Sequence, residues 1–173
     1  GALGASDLSK LQAILADTAG AVTASITGDG DAINSGITEA STANILTITT
    51  DANNVAASAL NTLITKTGGH VNAQAIIGNG ISGTAAELKA SLVTNYHETA
   101  ASKISFDLVD GGNGAVKAIL TGTQAGGTST VIDDIDLIAA ATAGVVDGAA
   151  THTVGGSSVD YTLAASGSSL VGG

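Results

Sequence analysis

The chain of 173 residues contains no cysteine, proline, methionine or tryptophan. Its five basic residues are all lysines (Lys10, Lys66, Lys89, Lys103 and Lys117), so arginine is missing too. Aromatic residues are nearly absent, with only Tyr96, Phe106 and Tyr161. Each absence excludes something. Without cysteine there is no disulfide framework and no cysteine-built zinc site. Five lysines stand against fifteen acids, a net charge of −10. Nucleic acid is thereby excluded as an obvious partner, because phosphate binding needs clustered Lys and Arg. Anionic membrane surfaces are disfavoured for the same reason. No basic segment followed by an apolar stretch marks a signal peptide. The longest apolar run, "LIAAATAGVV" (137–146), is far shorter than the ~18 residues of a membrane span, so no membrane insertion is expected. A chain that starts at Gly1 and lacks methionine is expected to be a processed product or a segment of something longer.

What is present is small and aliphatic. Hydrophobic residues make up 44% of the chain and its mean hydropathy is +0.39, unlike the polar, highly charged composition of disordered segments. Ordinary cores lean on aromatics, each of which buries a large area. This chain must bury Ala, Val, Ile and Leu instead, which suits thin regular layers.

One pattern recurs along the chain, with copies starting near 8, 60 and 132. In 8–28, Leu8, Leu11 and Ile14 precede Thr18 and Gly20. In 60–78, Leu60, Leu63 and Ile64 precede Thr67 and Gly69. In 132–151, Ile132, Ile135 and Ile138 precede Thr142 and Gly144. Each copy reads as a short amphipathic helix, a Thr-x-Gly stop and a short strand. Glycine just past the last helical turn is expected where the backbone needs a positive φ. Between the copies, 43–52 alternates as a strand, and 103–112 places Ile104, Phe106 and Leu108 on one face before a turn. The segment 82–93 reads as a helix with a capping box from Thr84 to Glu87. The stretch 157–166 alternates Val159, Tyr161 and Leu163 as a further strand.

The succession "ILTITTDANNVAASALNTLITKTGGHVNAQ" followed by "ISGTAAELKASLV" resembles the repeats of large bacterial surface and secreted proteins, common in cyanobacteria. Those repeats run strand–Asp–helix–Thr-Gly–strand–"TAAxL" and occur in S-layer-like, adhesin-like and type I-secreted giant proteins. The stretch that carries the resemblance spans residues 45–93. It implies an extracellular structural or adhesive protein of repeat architecture, often calcium-dependent, and it carries over no catalytic residue.

The candidate metal stretch is "TGDGDAINSG" (27–36). Counted from Asp29, an EF-hand would need a ligand at Ile33, glycine at Asn34 and glutamate at Ala40, so it is not an EF-hand. Asp29, Asp31 and Asn34 could still give calcium three oxygens, with carbonyls and water completing a loose shell. The alternative is a Gly/Asp turn between strands. A second acidic group, Asp133, Asp134 and Asp136, could form a calcium site between repeats or subunits. Placement in the first turns of a helix would explain those acids without a ligand. "GGNGAVKAI" (111–119) begins like a calcium-binding nonapeptide but has Val116 in place of aspartate, though Asp107 and Asp110 lie close by. His70, His97 and His152 read as solvated surface residues. "GNGISG" (78–83) has the spacing of a dinucleotide loop but no acidic partner at the right distance. There is no nucleophile elbow and no Walker loop, so no enzyme is expected.

These observations predict a mixed α/β chain, a single repeat-built domain over 1–173, elongated and solenoid-like, with a β-sandwich carrying peripheral helices as the alternative. The expected function is a structural subunit of an extracellular, cell-surface assembly (S-layer, sheath or filament) whose partners are copies of itself, with calcium as a stabiliser. An adhesin module binding cell-surface glycan and a virion surface or fibre protein are the other readings.

Overall fold

Leucine spacing sets the first helix, α1 (Leu8–Asp17). Leu8, Leu11 and Leu15 are buried along it. Ile14, expected on that face, is 54% exposed. Successive helical residues turn by about 100°, so Leu15 returns to within about 20° of Leu8 while Ile14 points about 120° away. The computed structural model describes residues 1–39, 41–76, 79–109, 115–121, 128–147, 149–154 and 157–162.

After α1 come β1 (Thr23–Gly28), α2 (Gly30–Gly36), β2 (Ile45–Thr50), β3 (Val55–Ala56) and α3 (Ala57–Leu63). Next are β4 (Val71–Asn72), β5 (Ile81–Gly83) and α4 (Ala85–Lys89), which runs on into a π-helical turn at Ala90–Thr94. Then follow β6 (Ile104–Ser105), β7 (Ala118–Leu120), α5 (Thr128–Ala141) and β8 (Val146–Asp147). A hairpin of β9 (Ala149–Val154) and β10 (Ser157–Thr162) ends the described chain.

The result is mixed α/β. Two four-stranded sheets form, ordered β1-β2-β4-β6 and β3-β5-β7-β8, and every pairing within them is parallel. Neither sheet closes into a barrel. A β-sandwich, the alternative architecture, is in its common forms built from antiparallel strands. Among the described residues, only the β9–β10 hairpin is antiparallel. Parallel strands need crossovers, and these supply the helices.

Register brings like residues together. In the first sheet Ile26 pairs with Ile48, Ile48 with Val71 and Val71 with Ile104. Single bridges extend this column to Leu3 at one end and Tyr96 at the other. In the second sheet Val55, Ile81, Ala118 and Val146 pair in succession. Most members of both columns are buried, together with the inner faces of the helices. Burying an aliphatic side chain of this size stabilises by roughly 1.5–3 kcal/mol.

Several local expectations hold. β2 alternates, with Leu46, Ile48 and Thr50 inside. Thr84 caps α4 in a reciprocal capping box with Glu87. Leu60, Leu63 and Ile64 are buried. The strand expected over 103–112 is shorter than its alternation implies. Only Ile104–Ser105 pairs, and Ser105 is as buried as Ile104 and Phe106. A segment buried on both sides loses the two-faced pattern that period-two reading relies on.

The three Thr-x-Gly motifs all follow a helix and precede a strand: Thr18 before β1, Thr67 before β4 and Thr142 before β8. In each, the Gly N–H donates to the Thr Oγ1 two residues earlier, at 3.3, 2.8 and 3.0 Å in chain order. Their glycines do not serve the expected purpose. None of the three has a positive φ. A Cβ on Gly69 would lie 2.2 Å from the Leu46 carbonyl oxygen, and one on Gly144 would lie 2.1 Å from that of Val116. Glycine is needed there for close backbone approach to the neighbouring segment.

Candidate functional site

The stretch "TGDGDAINSG" is the end of a strand and a helix rather than a loop. Gly28 closes β1 and α2 begins at Gly30. Asp29 is its N-cap, accepting from the Ala32 N–H at 2.8 Å. That satisfies one of the N–H groups that a helix start leaves without a partner. Asp31 stands in the first turn, where the helix dipole favours a negative charge. Its Oδ1 accepts from the backbone N–H of Ala56 at 3.2 Å. Ile33 is buried and anchors the helix to the core.

Asn34 faces a cation already, but a covalently attached one. The Lys66 ammonium donates to Asn34 O at 2.6 Å, Asn34 Oδ1 at 2.8 Å and Ile37 O at 2.6 Å. Three oxygens thus converge on Nζ, and each of its hydrogens has an acceptor. Partial burial draws the Lys66 ammonium below the ordinary lysine value. The three acceptors oppose that by favouring the charged form. Asn34, expected as a calcium ligand, instead has its side-chain and backbone oxygens hydrogen-bonded to Lys66. The ligand set differs from the expected one, because Asp29 and Asp31 are engaged elsewhere.

The second acidic group is also divided. α5 starts at Thr128, so Asp133, Asp134 and Asp136 lie beyond its first turn. The dipole explanation therefore does not apply to them. Asp134 is buried and pairs with Lys89 at 2.7 Å, tying α5 to α4. Asp133 and Asp136 are exposed. Among the described residues, no three His, Cys, Asp or Glu side chains gather where they could hold a metal ion. Asp107 gives its backbone carbonyl to Val116 at 2.7 Å. Asp110 and Gly111–Gly114 lie outside the described residues, as does Gly78 of the glycine-rich 78–83 stretch. The strand of that stretch, β5, lies within it rather than before it, unlike a phosphate-binding turn.

His70 is structural rather than merely solvated, while His97 is an exposed surface residue as expected. His70 is half-buried and bridges neighbouring segments, Nδ1 to Ala100 O and Nε2 to Ser105 Oγ, both at 2.9 Å. A carbonyl can only accept, so Nδ1 carries the proton, and in the neutral ring Nε2 accepts from the serine hydroxyl. His97 Nδ1 faces two backbone donors, Thr99 N at 3.2 Å and Ala100 N at 3.1 Å, so it is the acceptor nitrogen. The side chain of His152 is outside the description. Of the aromatics, Phe106 is buried. Tyr96 is half-exposed, and its hydroxyl donates to Glu98 Oε1, whose other oxygen accepts from Gln74 Nε2 at 3.4 Å. The hydrogen bond to Glu98, followed by burial and the glutamate charge, raises the Tyr96 pKa above its ordinary value.

Two polar centres escape sequence reading. Thr67 is fully buried, and its Oγ1 accepts from Leu46 N at 2.7 Å as well as from Gly69 N. Asn61 Oδ1 accepts from Ser91 Oγ at 2.9 Å and Asn95 Nδ2 at 3.1 Å, stitching α3 to the π-helical turn. The Thr-x-Gly spacing was a signal for the first. The second joins residues about thirty positions apart and leaves no local trace. No protein family, curated protein or solved structure matches this chain.

Proposed function

We propose that this chain is a structural module of an extracellular assembly, an elongated solenoid-like unit that associates with copies of itself. The observation that carries the reading is the pair of in-register aliphatic columns, Ile26–Ile48–Val71–Ile104 and Val55–Ile81–Ala118–Val146. Successive segments of one chain bury their apolar faces on one another, the packing logic of arrays. Several side chains able to bind or react are spent on internal joints: Asp29 and Asp31 on backbone donors, Asp134 on Lys89, and His70 between two segments. The polar chemistry at these positions serves the chain's own architecture. Calcium enters the reading as a counter-ion to the charge of −10, acting on dispersed carboxylates.

Electron microscopy with sedimentation over a range of concentrations, with calcium present, tests this. Ordered sheets or filaments are expected. A species that stays monomeric at high concentration refutes the assembly reading. A second reading, an adhesin module for cell-surface glycan, is favoured by half-exposed Tyr96 beside Glu98 and Gln74. An aromatic face flanked by a carboxylate and an amide can stack on a sugar ring and bind its hydroxyls. Glycan binding that Tyr96→Ala abolishes would select that reading.

A further inference from the structure

A sheet edge exposes backbone N–H and C=O groups and offers a template to any extended chain. At the N-terminal end of this molecule, both edges are met by the chain itself. β3 is the outer strand of its sheet. Alternate residues of a parallel strand turn their backbone groups to opposite sides. Val55 points inward and donates to Gly80 O at 3.4 Å. Ala56 therefore points its N–H outward, and the Asp31 carboxylate accepts it at 3.2 Å. The first turn of α2 lies against β3 closely enough that a Cβ on Gly30 would come 2.9 Å from Val55 Cγ1. The other sheet ends on β1. There Leu3 donates to Ser25 O at 2.7 Å and accepts from Thr27 N at 2.9 Å.

We infer that this end is a sealed strand-docking surface, in which Asp31 and Leu3 occupy the hydrogen-bonding positions that an extended strand of a second copy of this chain would take. The chain is its own best-matched partner. β5 is already paired on both its sides, so the edge a second copy can offer is its own β3, and Val55–Ala56 of two copies can meet across a two-fold axis that closes at a dimer. At β3 the seal is a carboxylate rather than another strand. It satisfies one donor, carries a negative charge to the edge and has no N–H with which to pass the ladder on. In a chain of net charge −10, that charge also repels an incoming copy. This inference does not rest on the assembly reading. It assigns a closed end to the molecule whether or not other faces associate.

The test compares wild type, Asp31→Ala and Asp31→Asn by sedimentation velocity, at concentrations below any association of the wild type. Asp31→Ala opens the edge and should raise the weight-average mass about twofold, as edge pairing of two copies requires. Asp31→Asn keeps an acceptor oxygen and should stay near wild type. A folded Asp31→Ala that sediments as wild type overturns the inference. Should Asp31→Ala fail to fold, amide exchange in the wild type decides. The Ala56 amide is expected to be as protected as that of Ser82, and exchange at the rate of an open edge overturns the seal. A wild type that is monomeric at every concentration counts against the assembly reading and leaves this one standing.

Discussion

Replacing threonine by valine at the three Thr-x-Gly positions keeps the β-branch and removes the hydroxyl. The same mutation then probes three environments. Thr67 is fully buried, and its Oγ1 accepts from two backbone donors, Leu46 N at 2.7 Å and Gly69 N at 2.8 Å. Valine leaves both without a partner in a dry site. Each orphaned buried donor costs about 1–3 kcal/mol, so Thr67→Val should cost about 2–6 kcal/mol. The carbonyl of Asn44, to which Thr67 is also hydrogen-bonded, still accepts from Gly68 N at 2.7 Å, so it adds little. Thr142 is nearly as buried but accepts from Gly144 N alone while donating to Val116 O at 2.9 Å. One orphaned donor puts Thr142→Val at about 1–3 kcal/mol. Thr18 is exposed and its bond to Gly20 N is long, at 3.3 Å, so water replaces it. Thr18→Val should stay within about 0.5 kcal/mol. Total stability of a domain is about 5–15 kcal/mol, so the first substitution removes a large share and the last is hardly visible. Urea unfolding followed by circular dichroism reads all three. With a slope near 2 kcal/mol per molar, Thr67→Val moves the midpoint by about 1–3 M. Equal effects at positions 67 and 18, or a Thr67→Val loss below about 1 kcal/mol, would refute the assignment of Thr67 as a buried hub.

Further expectations follow from the same geometry. Leu15→Ala should cost about 2–5 kcal/mol as a buried truncation, while Ile14→Ala one residue away should cost well under that, both read by urea unfolding. Gly69→Ala and Gly144→Ala should be strongly destabilising because their Cβ atoms would meet backbone oxygens, whereas Gly20→Ala has room and should fold as wild type in the same assay. Absorbance at 295 nm in a Tyr161→Phe background should show Tyr96 ionising above the ordinary tyrosine value. A raised folded-state value means that the folded chain holds the proton longer than the unfolded one. The Tyr96–Glu98 contribution is thus complete below about pH 10 and is lost as pH rises through the raised value, a loss that Tyr96→Phe abolishes. Millimolar calcium should raise Tm at low ionic strength, and the shift should survive Asp29→Asn/Asp31→Asn, because screening of dispersed acids needs no single site. At about 1 M salt, with a Debye length of about 3 Å, the shift should disappear.

Local rules recovered the parts of the fold that are locally determined. The Thr84–Glu87 capping box and the alternation of β2 each need only a few neighbouring residues, whereas the buried face of α1 was legible at Leu8 and Leu11 but turns to Leu15 rather than Ile14. α2 was missed although its signal was present. Asp29 with a further acid in the first turn is a helix start, but three glycines and an asparagine in ten residues read equally as a turn. β3, β4, β6 and β8 have two residues each, too few for any period to be seen. The site residues were legible as acidic groups and not as contacts. What Asp31, Asn34 and Asp134 do depends on Ala56, Lys66 and Lys89, each some 25–45 positions away. Sequence spacing carries no measure of such separations, so a pair of carboxylates destined for a backbone donor and a lysine looks the same as a pair awaiting calcium.

The order β1-β2-β4-β6 has a kinetic consequence. Each strand of that sheet pairs with the strand that comes next to it along the chain within the same sheet, so no pairing must wait for the two ends to meet. Closing a loop costs entropy that grows with its length, and here every closure spans only one segment. Folding can then start at any well-packed segment, the one around Ile48 and Val71 for instance, and spread outward one strand at a time. Opening would run the same way in reverse. The terminal strands would exchange their amides first and the middle of the column last, as local openings that precede the global transition.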